Sequence, residues 1–245
     1  MLKSKKRVTM LLDKGIGLRS QRDLLDTAAP YITQVKIGWG IGNVLPEEIL
    51  KEKIALYREL GIIVSPGGTA LEKAILEDKI DQFSLWLRES GFDAVEVSNG
   101  VVKLDEDEKC DLIRDFNKKG FIVLSEVGSK DPLRDHSISI RDRVEATRAE
   151  LDAGSQKVIV EAREGGKGIG FFDKSGSVIT HKISEFLECV DWRDIIFEAP
   201  LKNQQVFFIK KIGVDVNLGN IAHDEILSLE TLRRGLRGDT LKISG

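Results

Sequence analysis

Short β-branched, apolar runs alternate along the chain with longer stretches in which apolar residues recur every three or four positions. This is the pattern of βα units around a parallel sheet. Eight runs predict strands: RVTMLL (7–12), ITQVKI (32–37), GIIVS (61–65), DAVEVS (93–98), FIVLSEV (121–127), KVIVEA (157–162), DIIFEA (194–199) and VDVNL (214–218). Each is followed by a loop rich in Gly, Asn, Asp or Pro and then by a helical segment. In EEILKEKIALYREL, Ile49, Lys53-Ile54, Leu56-Tyr57 and Leu60 form one stripe, and at the end of the chain Ile226, Leu229, Leu232 and Leu236 form another. Eight such units, with no Pro/Ser-rich linker or change of composition, predict a single (β/α)8 TIM barrel spanning 1–245. The rival, an open doubly wound sheet, would show GxGxxG after the first strand, where the chain instead reads DKGIGL.

Composition removes several functions. The 245 residues carry 37 Lys+Arg against 40 Asp+Glu, a net charge of −3 with no basic block, so the surface lacks the footprint of a nucleic-acid binder. Cys110 and Cys189 stand far apart without a CxxC pair, against a disulfide framework or a zinc site. The basic start MLKSKKR precedes an apolar run that stops at Asp13-Lys14, too short for a signal peptide, and no stretch is long enough to span a membrane. The expectation is a cytoplasmic protein without membrane or nucleic-acid partners, for which a homo-oligomer is compatible with the sequence.

Barrel chemistry sits at the C-terminal ends of the strands, so the polar residues there carry the functional signal. Four successive predicted strands carry a glutamate near the same level, toward their C-terminal ends: Glu96, Glu126, Glu161 and Glu198. Converging carboxylates repel unless positive charge lies among them. A divalent metal with oxygen-only ligands, hence Mg2+ rather than zinc, would supply it together with nearby lysines and arginines. Lys36 interrupts the apolar run Val35-Lys36-Ile37; its stem packs while its head either snorkels to the mouth or meets an anion there. After the eighth run, Asn217, Gly219 and Asn220 suit a phosphate-binding turn, whereas Arg233, Arg234 and Arg237 read equally as a solvated helix face or a ligand clamp. GGKGIGFFD (165–173) fails the nucleotide-loop patterns and reads as a glycine-rich loop over the mouth. The three histidines share no strand-end pattern, and no GxSxG, HExxH or Cys/His pairing offers a nucleophile.

The strand-end strings LDKG (12–15), VKIGWG (35–40), PGGT (66–69), EVSNG (96–100), SEVGSK (125–130), VIVEAREGGKGIG (158–170), IFEAP (196–200), DVNLGNI (215–221) and LETLRRGLRGDT (229–240) together resemble the phosphosulfolactate synthase family, in order and over nearly the whole chain. The resemblance implies a single barrel, a magnesium requirement, and addition of sulfite to phosphoenolpyruvate as the first step of one coenzyme M pathway. It implies conjugate addition of sulfite at the methylene carbon, with magnesium on the substrate carboxylate as electron sink and Lys130 as the general acid toward carbon two. Glu126, Glu161 and Glu198 are then the metal contacts, with Glu96 able to exchange for one of them. Lys14, Lys36 and Arg163 bind substrate anions, and Asn217 and Asn220 the phosphate. Two other readings stand beside this one: a barrel acting on another phosphorylated small acid, and a stress-associated barrel protein without the chemistry. One departure bears on the choice, since Ile41-Gly42 follows GWG where the family pattern offers a hydroxyl pair.

Overall fold

The computed structural model describes residues 7–163 and 165–242; the basic start, residues 1–6, lies outside them. Among the described residues the strands are β1 Thr9–Asp13, β2 Gln34–Ile37, β3 Ile63–Pro66, β4 Ala94–Ser98, β5 Ile122–Val127, β6 Lys157–Val160, β7 Ile195–Glu198 and β8 Leu218–Ile221. All pairings are parallel, and the order β3-β2-β1-β8-β7-β6-β5-β4 curls the sheet into a nearly closed barrel. At the β3/β4 seam, the backbone N–H of Asp93 donates to Val64 O at 3.1 Å and the Asp93 carboxylate accepts from Val64 N–H at 3.2 Å. The helices are α1 Leu18–Ala28, α2 Glu47–Arg58, α3 Thr69–Leu76, α4 Ile80–Ser90, α5 Glu106–Lys118, α6 Pro132–Ser137, α7 Ile140–Asp152, α8 Thr180–Cys189, α9 Lys202–Ile212 and α10 Ile226–Arg233. The chain is thus a (β/α)8 TIM barrel. None of its described helices is long and apolar enough to cross a membrane.

Strand alternation divides the core in two. Outward residues such as Val35, Val95, Val123, Val158 and Phe197 join the helices in one large apolar cluster. Inward, Val8, Met10, Leu124, Ile159 and Ile196 form a small separate plug inside the barrel. Two residues beyond Leu124, Ile159 and Ile196, the same inward faces carry Glu126, Glu161 and Glu198. An apolar floor therefore lies beneath a charged layer, which keeps those carboxylates out of bulk water (2% exposed each).

One strand differs from expectation. The run VDVNL predicts strand eight at 214–218, but β8 is Leu218–Ile221, four residues poor in β-branched side chains. The alternating Val214 and Val216 lead into the strand instead.

Candidate active site

The C-terminal ends of the strands surround a cavity of about 70 Å³ lined by, among others, Lys36, Glu96, Glu126, Lys130, Glu161 and Glu198. A larger hollow of about 740 Å³ opens at the other end of the barrel, beside Arg7, Gln34 and Asp215, and gathers no comparable set of acids. Carboxylate oxygens of Glu126, Glu161 and Glu198 lie within 4.8 Å of one another. Glu198 accepts from the Ala162 N–H at 2.9 Å, Glu161 from the Arg163 N–H at 2.5 Å, and Glu96 from the Gly68 N–H at 2.8 Å. Each carboxylate is thereby anchored by one oxygen to the backbone of a neighbouring loop or, in Glu126, left to its side-chain neighbours.

Two ammonium groups face this set. Lys36 Nζ is 2.7 Å from Glu96 Oε2, 3.0 Å from Glu198 Oε1 and 3.8 Å from Glu126 Oε2. Its head does not snorkel to the mouth; it is the buried counterion of three acids. Burial works to discharge Lys36, but the pull of Glu96, Glu198 and Glu126 outweighs it and holds the ammonium well above its ordinary pKa. Lys130 Nζ lies 3.5 Å from Glu126 Oε1, 3.8 Å from Glu161 Oε2 and 3.6 Å from Glu72 Oε1, and donates to Thr69 Oγ1 at 3.2 Å. Here too burial is overcome by Glu126 and Glu161, so Lys130 is held protonated, with a proton to give.

The acids titrate unequally. Burial opposes ionisation of Glu126, yet Lys130 and Lys36 bring it down to about 2. Burial and the charges of Glu126 and Glu198 push Glu161 well above the carboxylate range, and burial raises Glu96 to about 7 against the opposing pull of Lys36. Five carboxylates, Glu72 included, thus crowd two lysines, and part of the excess negative charge is removed only by protonation. Glu126 Oε1 and Glu161 Oε2 are buried without a hydrogen-bond partner. Unsatisfied oxygens from an all-carboxylate set fit a hard divalent cation.

The remaining predicted residues divide. Arg163, in a left-handed conformation (φ 57°), and Asn220 (φ 56°) line the same cavity, and Asn220 Oδ1 is buried without a partner. Lys14 is exposed at the end of β1, 4.8 Å over the Trp39 ring, and stands outside the cavity lining. Asn217 does not join them. It precedes β8 at the opposite end of the barrel, where its amide accepts from the Val8 N–H at 2.8 Å and donates to Arg193 O at 3.0 Å and Ile195 O at 2.9 Å. It staples strand entrances, a structural duty far from any phosphate at the mouth. Arg233, Arg234 and Arg237 bond to Val214 O, Glu230 and Ser228, so none clamps a ligand at the mouth. His136, His181 and His223 are exposed and outside the cavity.

One element of the site escapes a strand-end reading. Glu72, from the first turn of α3, accepts from Ser98 Oγ at 2.6 Å and from the N–H groups of Val101 and Val102 at 2.6 and 2.8 Å. Thr69-x-x-Glu72 has the spacing of a helix capping box, but the Glu72 side chain turns to the loop after β4 instead. Beneath the β1 loop, Asp13 accepts from Gly15 N–H, Ile16 N–H and Tyr57 OH, and pairs with Lys53 at 2.6 Å. The Ile41-Gly42 departure also acquires a packing explanation. Ile41 lies against Gly15, a Cβ on Gly42 would meet the Trp86 ring at 3.3 Å, and neither residue lines the cavity.

Comparison with known proteins agrees with this geometry. The family described as (2R)-phospho-3-sulfolactate synthase (ComA) matches residues 3–239. The phosphosulfolactate synthase of Methanothermobacter thermautotrophicus is 46% identical over 97% of this chain and 92% of its own length. That of Methanocaldococcus jannaschii is 47% identical over 95% of this chain and 93% of its own. Among solved structures, 3-hexulose-6-phosphate synthase from Salmonella typhimurium shares the fold with a TM-score of 0.56 at 16% identity, covering 91% of this chain and 90% of that one. With the family match running through nearly every strand-end loop that builds the mouth, the chain belongs to the (2R)-phospho-3-sulfolactate synthase family.

Proposed function

We propose that this protein is a phosphosulfolactate synthase, a carbon–sulfur lyase by class, which adds sulfite to phosphoenolpyruvate to give (2R)-2-O-phospho-3-sulfolactate. The observation that carries the reading is the Glu126, Glu161 and Glu198 triad, within 4.8 Å, with the Lys130 ammonium beside two of its members. These three carboxylates would hold a magnesium ion, directly or through water. When bound, the ion supplies positive charge for the substrate carboxylate and an electron sink for the addition.

The sulfur lone pair forms the C–S bond at the methylene carbon, and the double-bond pair moves toward the substrate carboxylate. Carbon two then takes a proton from the Lys130 ammonium, which regains one from solvent or bisulfite. The carboxylates around Lys130 keep it charged but raise its pKa, which weakens it as an acid; a cation at Glu126 and Glu161 would offset their pull and bring the ammonium closer to the range useful for proton transfer. Lys36 contributes indirectly: by neutralising Glu96 and Glu198 it lets an anionic substrate approach a mouth that would otherwise repel it. Arg163 and Asn220, on the cavity wall, and the exposed Lys14 beside the mouth are the groups for the substrate's phosphate and sulfite charges.

The test is to mix the purified protein with phosphoenolpyruvate, sulfite and magnesium and follow loss of the enol absorbance, with and without chelator. Sulfite-dependent loss abolished by chelation and by Lys130→Ala is the expected result. Absence of any sulfite-dependent loss overturns the proposal.

A further inference from the structure

Lys130 has to deliver its proton to one side of carbon two, and the residues that aim it are not those that discharge it. The Lys130 stem lies along Gly100. A Cβ built on Gly100 would stand 3.2 Å from Lys130 Cγ, 3.3 Å from Cδ and 3.6 Å from Cε, tighter than an ordinary contact, and the Lys130 N–H donates to Gly100 O at 3.2 Å. The position of the Gly100 loop is in turn fixed by Glu72. That carboxylate, 1% exposed, spans Ser98 at the end of β4 and the N–H groups of Val101 and Val102 on the far side of Gly100. Glu72 and Thr69 also approach the ammonium itself, at 3.6 and 3.2 Å.

Of the three carboxylates around Lys130 Nζ, Glu126 and Glu161 belong to the triad assigned to the cation, whereas Glu72 does not. Once Glu126 and Glu161 serve a cation, Glu72 and Thr69 are the partners that still hold the ammonium in place. We propose that Thr69, Glu72 and Gly100 form the seat of Lys130 and thereby decide from which side carbon two is protonated. These are positioning residues: they act through Lys130, and the inference rests on the synthase reading above for what Lys130 does.

The test uses Thr69→Val and Gly100→Ala in the full chain, with Thr69→Ser as the conservative control and far-UV circular dichroism to confirm folding. Displacing the proton donor by a fraction of an ångström to an ångström is expected to lower kcat about 10- to 100-fold while leaving KM within about two-fold, because none of the residues assigned to substrate anions or to the cation is changed. Product made by the two variants should be of mixed configuration at carbon two, whereas wild type and Thr69→Ser give a single one. A second readout needs no turnover: the rate at which acetic anhydride modifies Lys130, followed by peptide mass, should rise in Thr69→Val and Gly100→Ala and not in Thr69→Ser. Unchanged kcat, a single product configuration and unchanged Lys130 labelling in both variants overturn the seat. If wild type makes no product but labelling shifts as described, the synthase reading fails and the seat stands. If wild type makes product and labelling does not shift, the seat fails and the synthase reading stands.

Discussion

Lys53→Met is the sharpest test of how the β1 end of the mouth is held. Lys53 is 1% exposed, and its Nζ meets Asp13 Oδ2 at 2.6 Å, Ile16 O at 2.8 Å and Gln21 Oε1 at 3.2 Å. Methionine conserves most of the stem and removes the charge, leaving a fully buried Asp13 without its cation. Breaking a buried pair from one side costs roughly 3–5 kcal/mol. Asp13 keeps three donors, Gly15 N–H, Ile16 N–H and Tyr57 OH, so the loss should fall near the lower end, about 3 kcal/mol. For a domain of this size that corresponds to a drop of roughly 6–12 °C in Tm. Urea unfolding of Lys53→Met, Asp13→Asn and the double variant measures both the loss and the coupling, and the double variant should cost clearly less than the two singles added together. Cation affinity should be unchanged, since Glu126, Glu161 and Glu198 come from the ends of β5, β6 and β7. A loss below about 1 kcal/mol, or full additivity, would refute the claim that the pair is a single buried unit.

Magnesium should raise the unfolding free energy of the wild type, measured by urea titration, by about 2.7 kcal/mol at a hundred times its Kd, and Glu161→Gln should abolish most of that gain. The raised pKa of Glu96, about 7 against an ordinary 4.5, gives a signed pH effect in the chelated protein. The folded state takes up this proton before the unfolded chain does, so stability rises as pH falls from about 8 toward 5, by roughly 2–3 kcal/mol from this group. Glu96→Gln should remove that increment from the difference between unfolding curves at the two pH values, and an unaltered difference would contradict the assignment. Asn217→Ala should lower stability by about 1–3 kcal/mol through the unpaired Val8 N–H while leaving KM for phosphoenolpyruvate unchanged, a result that separates it from Asn220→Ala, where KM should rise.

Seven strands were legible because their apolar runs are dense, and the glutamate set was legible because it repeats at the same point of four units. What made three of those glutamates converge is visible only as alternation: Leu124 and Glu126, Ile159 and Glu161, Ile196 and Glu198 share inward faces. The eighth strand misled because Val214 and Val216 alternate like a strand, whereas Gly219 and Asn220 in the true one have low strand propensity and are fixed by neighbours on both sides. Asn217 went with it, since a strand ending at 218 puts that residue at the mouth and a strand beginning there puts it at the opposite end. Glu72 was illegible for a different reason: it lies on a helix, where a charged residue in an amphipathic stretch normally faces solvent, and only the packing of α3 against the strand ends turns it inward, whereas the apolar stripe of α2 already included Lys53.

The charge segregation inside a chain of net charge −3 also supports the proposed cation, on grounds of the fold as much as of the substrate. Lys36 is engaged by Glu96 and Glu198, and Lys130 is shared among Glu72, Glu126 and Glu161. Neither ammonium is therefore free to neutralise an incoming phosphate, carboxylate or sulfite. Arg163 at the lip and the exposed Lys14 beside the mouth supply two further positive charges, too few against two substrates that between them bear several negative ones. An enzyme that joins two anions in this mouth needs added positive charge at the triad before the anions can approach. The same charge would satisfy the two oxygens, on Glu126 and Glu161, that the folded chain leaves without a hydrogen bond, beyond their longer ion pairs with Lys130.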